Sequence, residues 1–284
     1  MKYKEENGVI TLFGAKQFSI GEILECGQCF RFEKLGVDYY YLIAHGRVLH
    51  VEQNDNTVKF WYENSKLNIC EFKTIWEGYF DLSRDYGQIQ AKITENDPVM
   101  TRAVNFAPGI RILKQDPWET LISFIISQNN RIPQIKQVIK NISEAYGDAL
   151  GGGHHAFPTI QQLLMATAPD LRNLKAGFRD KYIVDATSAA NAASMDDLES
   201  NLLDIKGVGE KVANCVLLFG YARHDRFPVD VWVRRVMEKL YFDGEPTPIA
   251  TIQNFAKERF GEYSGFAQQY LFHYIRMNPD AENL

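Results

Sequence analysis

The sequence has few cysteines and no long apolar run. Only four cysteines occur in 284 residues, which excludes a small disulfide scaffold and favours a reducing compartment. No uninterrupted apolar stretch approaches the roughly 20 residues that a membrane helix needs, so we expect no membrane partner. Residues 1–7 lack the apolar core of a secretory signal. Without a targeting segment or a basic targeting run, the sequence suits a prokaryotic cytoplasm.

The chain also lacks a positive net charge. Its formal charge is −5 and its pI about 5.7, which taken alone argues against a polyanionic partner. Binding nevertheless depends on where the charge lies. Arg172, Lys175, Arg179 and Lys181 form a local basic cluster in which Asp180 is the only acid. This cluster is either a nucleic-acid contact or an ordinary solvated surface.

Composition and patterning predict an α+β fold. Hydrophobic residues make up 45% and charged residues 24% of the chain, as in soluble globular proteins of one or two domains. We expect a strand-rich domain over 1–115, an antiparallel sheet with helices, followed by an all-α domain over 116–284. Aromatic and β-branched runs between turn signals predict strands at 9–13, 29–32, 39–43, 48–51 and 57–62, and a helix near 72–80.

The second domain begins with a clear helix start. Asp116 is a predicted N-cap, Pro117 the first helical residue and Glu119 the third. Apolar spacing predicts further helices at 134–145, 159–166, 181–193, 197–205, 210–219, 230–240, 249–259 and 265–276, and a loop at 151–155.

The segment 202–213 predicts a helix–hairpin–helix. Gly207 and Gly209 permit positive φ and let another backbone approach closely. Amides at the start of the second helix then form an anion site suited to a nucleic-acid phosphate. A plain turn between two helices is the alternative, because short Gly-x-Gly runs are common.

Lys211 lies in the first turn of that second helix, where the helix dipole disfavours an ammonium. Dipole and burial both favour a neutral amine, which can attack a carbonyl-like carbon and form a Schiff base. Asp230 opens the next helix after Pro228. It is either an N-cap, worth about 1 kcal/mol, or a carboxylate beside Lys211 that positions the amine and stabilises a cationic sugar.

The spacing of Cys26 and Cys29 is that of a redox pair or half a zinc site. No second cysteine pair completes a zinc set, and no βαβ pattern surrounds the motif. Both observations disfavour redox or metal chemistry at these residues.

In combination, the hairpin, Lys211 and Asp230 resemble the signature of the helix–hairpin–helix DNA glycosylase superfamily. Within it the chain resembles 8-oxoguanine DNA glycosylases over nearly its whole length. The resemblance implies a bifunctional glycosylase/lyase of base excision repair. Such an enzyme flips out 8-oxoguanine, excises it through a Schiff base on Lys211 with Asp230 stabilising positive charge, and β-eliminates the strand. No cysteine follows Cys215, so the iron–sulfur cluster of the endonuclease III-like branch is absent.

By the same resemblance, four residues line the base pocket. The Gly27 carbonyl accepts the N7–H that 8-oxoguanine has and guanine lacks. Cys215 follows Lys211 by four residues and so shares its helix face. Gln268 bonds the Watson–Crick edge, and Phe272 stacks on the base. For Cys215 and Phe272, ordinary core packing is the alternative.

The resemblance also implies residues that open and hold the duplex. Asn129 fills the vacated stack, Phe178 is the aromatic wedge and Arg179 reads the opposite base. Gly207 and Gly209 hold a phosphate. A polar helix end is the alternative for Asn129.

Two positions depart from the vertebrate members of the family. Gln134 stands where they have an arginine that helps to read the orphaned cytosine. Glutamine is neutral and shorter, so we expect relaxed selectivity for the opposite base. Trp232 stands where they have a histidine, and it can still donate one N–H to a phosphate.

No cofactor is required and no metal ligand set is expected, although the resemblance allows a structural cation held by the hairpin carbonyls of Leu203, Ile205 and Val208. The expected partner is double-stranded DNA containing 8-oxoguanine, bound by a monomer. Two other classes stay open. One is a related glycosylase that acts on another lesion or lacks lyase activity, and the base-pocket matches argue against it. The other is a non-catalytic hairpin module, which Lys211 together with Asp230 disfavours.

Overall fold

The computed structural model of the chain describes residues 2–278. Its first part is a six-stranded antiparallel sheet with the strand order β1-β2-β6-β5-β4-β3. The strands are β1 (Lys2–Glu6), β2 (Val9–Phe13), β3 (Phe32–Gly36), β4 (Tyr39–Ala44), β5 (Arg47–Asn54) and β6 (Thr57–Tyr62). Buried and half-buried residues alternate along β4, because successive side chains point to opposite faces of the sheet.

The inner face of the sheet packs on short helices. These are α1 (Ile20–Glu25) and a continuous stretch made of α2 (Ile69–Glu71), a π-helical turn (Phe72–Trp76) and α3 (Glu77–Tyr79). Trp76 is fully buried and donates its indole N–H to the Tyr62 hydroxyl at 2.9 Å. Such a buried aromatic with a satisfied polar atom fixes the stretch against the sheet.

The remaining helices pack around a second hydrophobic core. They are α4 (Tyr86–Thr94), α5 (Pro98–Phe106), α6 (Pro117–Ser127), α7 (Ile132–Tyr146), α8 (Ile160–Leu163), α9 (Ala168–Asn173), α10 (Asp180–Ala192), α11 (Met195–Ser200), α12 (Glu210–Phe219), α13 (Val231–Tyr241), α14 (Ile249–Phe260) and α15 (Ser264–Met277). Cys26 and Phe30, in the loop after α1, belong to this helical core. No helix within residues 2–278 is long and apolar enough to cross a membrane.

The predicted fold class is confirmed, with differences in detail. The strand predicted at 29–32 begins only at Phe32, because the preceding residues form a loop. The helix predicted at 197–205 ends at Ser200, where the Asn201 side chain bonds the Asp197 carbonyl at 2.8 Å, and a 3₁₀ turn follows. The loop predicted at 151–155 contains a small hairpin of β7 (Ala149–Gly151) and β8 (His154–His155).

Candidate active site

Gly207 is the tightest point of the hairpin between the 3₁₀ turn Leu202–Asp204 and α12. It has φ +87°, and a Cβ there would lie 2.3 Å from Cγ of Tyr182, so only glycine fits. Its carbonyl accepts a 2.9 Å hydrogen bond from the Gln128 side chain, which ties the hairpin to the end of α6. Gly209 differs from the prediction of positive φ. It has φ −92° and is the N-cap of α12 without a side-chain capping bond.

Lys211 is the second residue of α12 and is half-buried. Its Nζ lies 3.4 Å from Oγ of Ser127 and 5.1 Å from the ring centroid of Phe124. Both neighbours are uncharged, so these contacts do not neutralise an ammonium. The hydroxyl and the ring instead hold the amine beside the end of α6.

Asp230 and Cys215 lie within electrostatic reach of each other, and Lys211 lies beside Cys215. Burial raises the pKa of the Cys215 thiol, Lys211 lowers it and Asp230 raises it again. Asp230 is the N-cap of α13, and its Oδ1 accepts the Val233 amide at 2.8 Å. The capping interpretation is therefore correct as a structural description. The cap uses Oδ1 of Asp230 and does not need Oδ2.

Gln268 and Phe272 lie one turn apart on α15. Gln268 is buried, and its Oε1 has no hydrogen-bond partner within the described part of the chain. A buried acceptor left unpaired costs about 1–3 kcal/mol, so this oxygen is suited to receive a donor from a ligand. Phe272 is half-buried. Gly27 has φ +88°, and a Cβ there would be 3.0 Å from Cε1 of Phe272, so the loop backbone lies directly against the ring.

Two glutamines that sequence reasoning missed hold this loop. Gln28 is fully buried, and its Nε2 donates to the carbonyls of Ile23 at 2.9 Å and Arg111 at 2.8 Å. On α15, Gln269 donates to the Cys26 carbonyl at 2.8 Å. The bonds from Gln28 to Arg111 and from Gln269 to Cys26 join residues 83 and 243 positions apart, so no local sequence pattern predicts them.

The residues expected to open DNA are exposed, with one exception. Asn129 is exposed directly after α6 with φ +48°, and Phe178 is 53% exposed. Arg179, by contrast, is buried. It donates to the Asn129 carbonyl at 2.9 Å and stacks 4.4 Å from the centroid of Phe178. Gln134 is exposed in the first turn of α7, and Trp232 is 51% exposed on α13.

The basic cluster at 172–181 exposes less unpaired positive charge than its sequence indicates. Arg172 forms a 2.7 Å salt bridge with the buried Asp180, and Arg179 holds backbone carbonyls. Only Lys175 and Lys181 of the cluster stay exposed without such a bridge or buried contact in the described structure. Of the four residues of this cluster, Arg179 is therefore not at the surface, and Arg172, although exposed, is paired with Asp180.

Cys26 and Cys29 are free and buried, not paired. Burial raises the pKa of the Cys26 thiol to about 11 and that of Cys29 further. Because the thiolate is the reactive form, burial opposes redox chemistry at this motif. Residues 2–278 contain no group of three or more His, Cys, Asp or Glu residues that could hold a metal ion.

The chain is similar to known DNA repair proteins along most of its length. Residues 10–121 match the family described as 8-oxoguanine DNA glycosylase, N-terminal domain, and residues 122–259 match the HhH-GPD superfamily base excision DNA repair proteins. The probable N-glycosylase/DNA lyase of Methanothermobacter thermautotrophicus is 30% identical, over 70% of this chain and 73% of that protein. The N-glycosylase/DNA lyase of Saccharomyces cerevisiae is 37% identical, over 47% of this chain and 42% of that protein.

A solved structure extends this similarity to the whole chain. The 8-oxoguanine glycosylase/lyase of Clostridium acetobutylicum, in complex with DNA containing cytosine opposite 8-oxoguanine, has a TM-score of 0.92 and 38% identity. The alignment covers 98% of this chain and 99% of that one.

Proposed function

Because this chain belongs to the 8-oxoguanine DNA glycosylase family of the helix–hairpin–helix base excision repair superfamily, we propose that it excises 8-oxoguanine from duplex DNA and then cleaves the strand. The observation that carries the proposal is the position of Lys211. Its half-buried amine lies at the N-terminus of α12, directly after the hairpin, beside the uncharged Ser127, Phe124 and Cys215, and it forms no salt bridge within residues 2–278. A lysine whose role was to form an ion pair would have an Asp or Glu carboxylate in contact with its amine.

Recognition of the flipped base uses three groups. The unpaired Oε1 of Gln268 accepts a hydrogen bond from the Watson–Crick edge. The Phe272 ring stacks on one face of the base. The Gly27 carbonyl accepts from N7–H, a donor that 8-oxoguanine has and guanine lacks. Because Gln28 and Gln269 fix the loop, the carbonyl is positioned before the base arrives.

The chemistry proceeds through a covalent intermediate. The Lys211 Nζ lone pair bonds to C1′ while the C1′–N9 bond breaks, and the bonding electrons leave with the base, which takes up a proton. Asp230 stabilises the positive charge that develops on the sugar. The C1′–O4′ bond then breaks, and O4′ keeps the electron pair and takes up a proton. This gives an iminium between Nζ and C1′, with one amine proton of Nζ passing to the solvent. Loss of a C2′ proton then expels the 3′ phosphate, and water releases the lysine.

The groups that hold the duplex open are linked to the hairpin through Gln128, which bonds the Gly207 carbonyl and accepts from Arg179. Phe178 is an exposed aromatic suited to wedge between base pairs, and Asn129 beside it fills the vacated stack. Arg179 supports both, since it stacks on one and bonds the backbone of the other. Gly207 and Gly209 present backbone to a phosphate at the start of α12.

The hairpin backbone is compatible with a structural cation. The Ile205 carbonyl accepts the Val208 amide at 2.9 Å, which leaves its second lone pair for another ligand. Together with the carbonyls of Leu203 and Val208 it is the oxygen chemistry that hard cations prefer. Such an ion would link the hairpin to a DNA phosphate and takes no part in the steps above.

Borohydride trapping tests the function. The substrate is a duplex with one 8-oxoguanine opposite cytosine, and the proteins are wild type, Lys211→Gln and Lys206→Gln. Lys206 is an exposed lysine of the same hairpin, so it is the matched control. We expect covalent adducts with wild type and Lys206→Gln but none with Lys211→Gln. Base release without any adduct would indicate a monofunctional enzyme, and neither release nor adduct would reject the substrate.

A further inference from the structure

Arg276 lies beside the base pocket, yet the mechanism above does not use it. It follows Phe272 by one turn of α15, and its guanidinium carbon is 5.7 Å from the Phe272 ring centroid. A Cβ on Gly27 would lie 2.9 Å from Arg276 Nη1. The Arg276 guanidinium therefore lies against both the loop and the ring that are proposed to bind the base.

The two terminal nitrogens of Arg276 have different environments. Nη2 donates to the Glu25 carbonyl, which fixes the guanidinium in place. Nη1 is buried and has no hydrogen-bond partner among the described residues. An unpaired buried donor on a charged group is costly, and buried polar groups in native proteins almost always have a partner. Nη1 is therefore placed to donate a hydrogen bond to an acceptor atom of the ligand.

We propose that Arg276 Nη1 donates a hydrogen bond to O8 of the flipped 8-oxoguanine, which makes Arg276 a specificity-determining residue. This inference rests on the proposed function. 8-Oxoguanine carries the N7–H donor directly beside the O8 acceptor. Gly27 and Arg276 offer the complementary pair, a carbonyl acceptor beside an N–H donor. Guanine has an acceptor at N7 and a hydrogen on C8, so it mismatches both groups.

A DNA phosphate is the rival acceptor. Arg276 also borders a cleft of about 870 Å³ whose lining includes Lys34, Lys136 and Lys140. Contact with a phosphate would help all substrates equally, whereas contact with O8 helps only a base that carries this oxygen. Replacing the O8 atom of the base therefore distinguishes a phosphate contact from an O8 contact.

The test compares 8-oxoguanine with 8-thioguanine, each opposite cytosine, in single-turnover base release. Both bases keep N7–H, but sulfur is a weak acceptor. The rate with 8-oxoguanine is divided by the rate with 8-thioguanine. This ratio is measured for wild type, Arg276→Leu, Arg276→Lys and Arg259→Leu. Arg259 is the matched control, because its guanidinium lies 5.8 Å from the Phe260 ring centroid on α14.

We expect the ratio to fall by about tenfold or more in Arg276→Leu relative to wild type, as for loss of one hydrogen bond to a charged group. It stays unchanged in Arg259→Leu. Arg276→Lys keeps a charged donor and should retain part of the ratio. Cleavage of a duplex with a preformed abasic site, which has no O8, should stay within about twofold in the Arg276 variants, because that step lacks the contact.

An unchanged ratio in Arg276→Leu overturns the inference and leaves the proposed function intact. Equal losses on both bases and on the abasic duplex also overturn it, since they indicate a phosphate contact or a structural role. Absence of base release by wild type rejects the proposed function itself, and the inference with it.

Discussion

The side chain of Gln269 donates a 2.8 Å hydrogen bond to the backbone carbonyl of Cys26, 243 residues earlier in the sequence. This bond joins α15, which carries Gln268 and Phe272, to the loop that carries Gly27. The two walls of the proposed base pocket are therefore one connected unit, although they come from opposite ends of the chain.

We predict that Gln269→Leu destabilises the fold by about 1–3 kcal/mol, because it leaves the buried Cys26 carbonyl unpaired. Discrimination between 8-oxoguanine and guanine should fall with it. Urea unfolding measures the first effect and base-release rates the second. Gln137→Leu is the control, since Gln137 is exposed and its side chain bonds, within the described residues, only Asn141 on its own helix. Equal stability of the two variants would contradict the prediction.

Gly207→Ala should destabilise the protein by about 2–4 kcal/mol, because it adds a clash with the Tyr182 ring to the strain of positive φ. Gly244→Ala separates these causes, since Gly244 has φ +82° but no atom within 4 Å of its Cβ position. We expect Gly244→Ala to cost only the strain, about 1 kcal/mol. Thermal unfolding of both variants measures the difference. Similar destabilisation of the two would show that the Tyr182 ring moves aside without a large loss of stability.

Stability should fall as the pH drops from 6.5 towards 4. Burial and the nearby Arg276 lower the pKa of His273 to about 4, against an opposing effect of Glu25, and burial and Arg84 lower that of His224 to about 4. Because both folded pKa values lie below the unfolded value of 6.5, the unfolded chain binds more protons in this range.

The variant His273→Phe isolates one of these groups. It should remove up to about 3 kcal/mol of the stability difference between pH 7 and pH 4, at 1.36 kcal/mol per pKa unit. Urea unfolding at the two pH values measures it. A pH dependence identical to that of wild type would mean that His273 does not titrate as the buried site requires.

Selectivity for the base opposite the lesion should be relaxed. Gln134 is exposed in the first turn of α7 and offers a neutral amide instead of a guanidinium to the orphaned base. We expect cleavage opposite at least one of adenine, guanine and thymine to be within a hundredfold of cleavage opposite cytosine, since a missing base contact costs about 1–3 kcal/mol. Gln134→Arg should sharpen the preference. If all three non-cytosine duplexes were more than a hundredfold slower with wild type, the expectation fails.

Local signals in the sequence predicted much of the fold. The Asp116 cap forms with its Oδ1 2.9 Å from the Glu119 amide, and the helix predicted at 210–219 has those bounds. By contrast α1, with six residues, and α4 and α5, with nine each, were missed. Short helices depend on tertiary packing rather than on their own periodicity.

The candidate site was predicted only in part, because some of its residues follow local signals and others depend on distant contacts. Lys211 and Asp230 follow turn and capping signals, so their backbone positions could be read locally. The burial of Arg179 and the anchoring roles of Gln28 and Gln269 depend on partners far away in the chain. No pattern within one segment contains that information.

The loop 26–30 connects α1 to β3 and completes the core of the helices through Cys26 and Phe30. The Gly27 carbonyl, one of the groups proposed to sense the lesion, is thus contributed by the sheet half of the molecule, whereas the nucleophile and the α15 side chains of the pocket come from the helical half. Changes in this loop can alter which damaged base is accepted while Lys211 and its surroundings stay intact. This part of substrate recognition can therefore change during evolution without a change in the reaction chemistry.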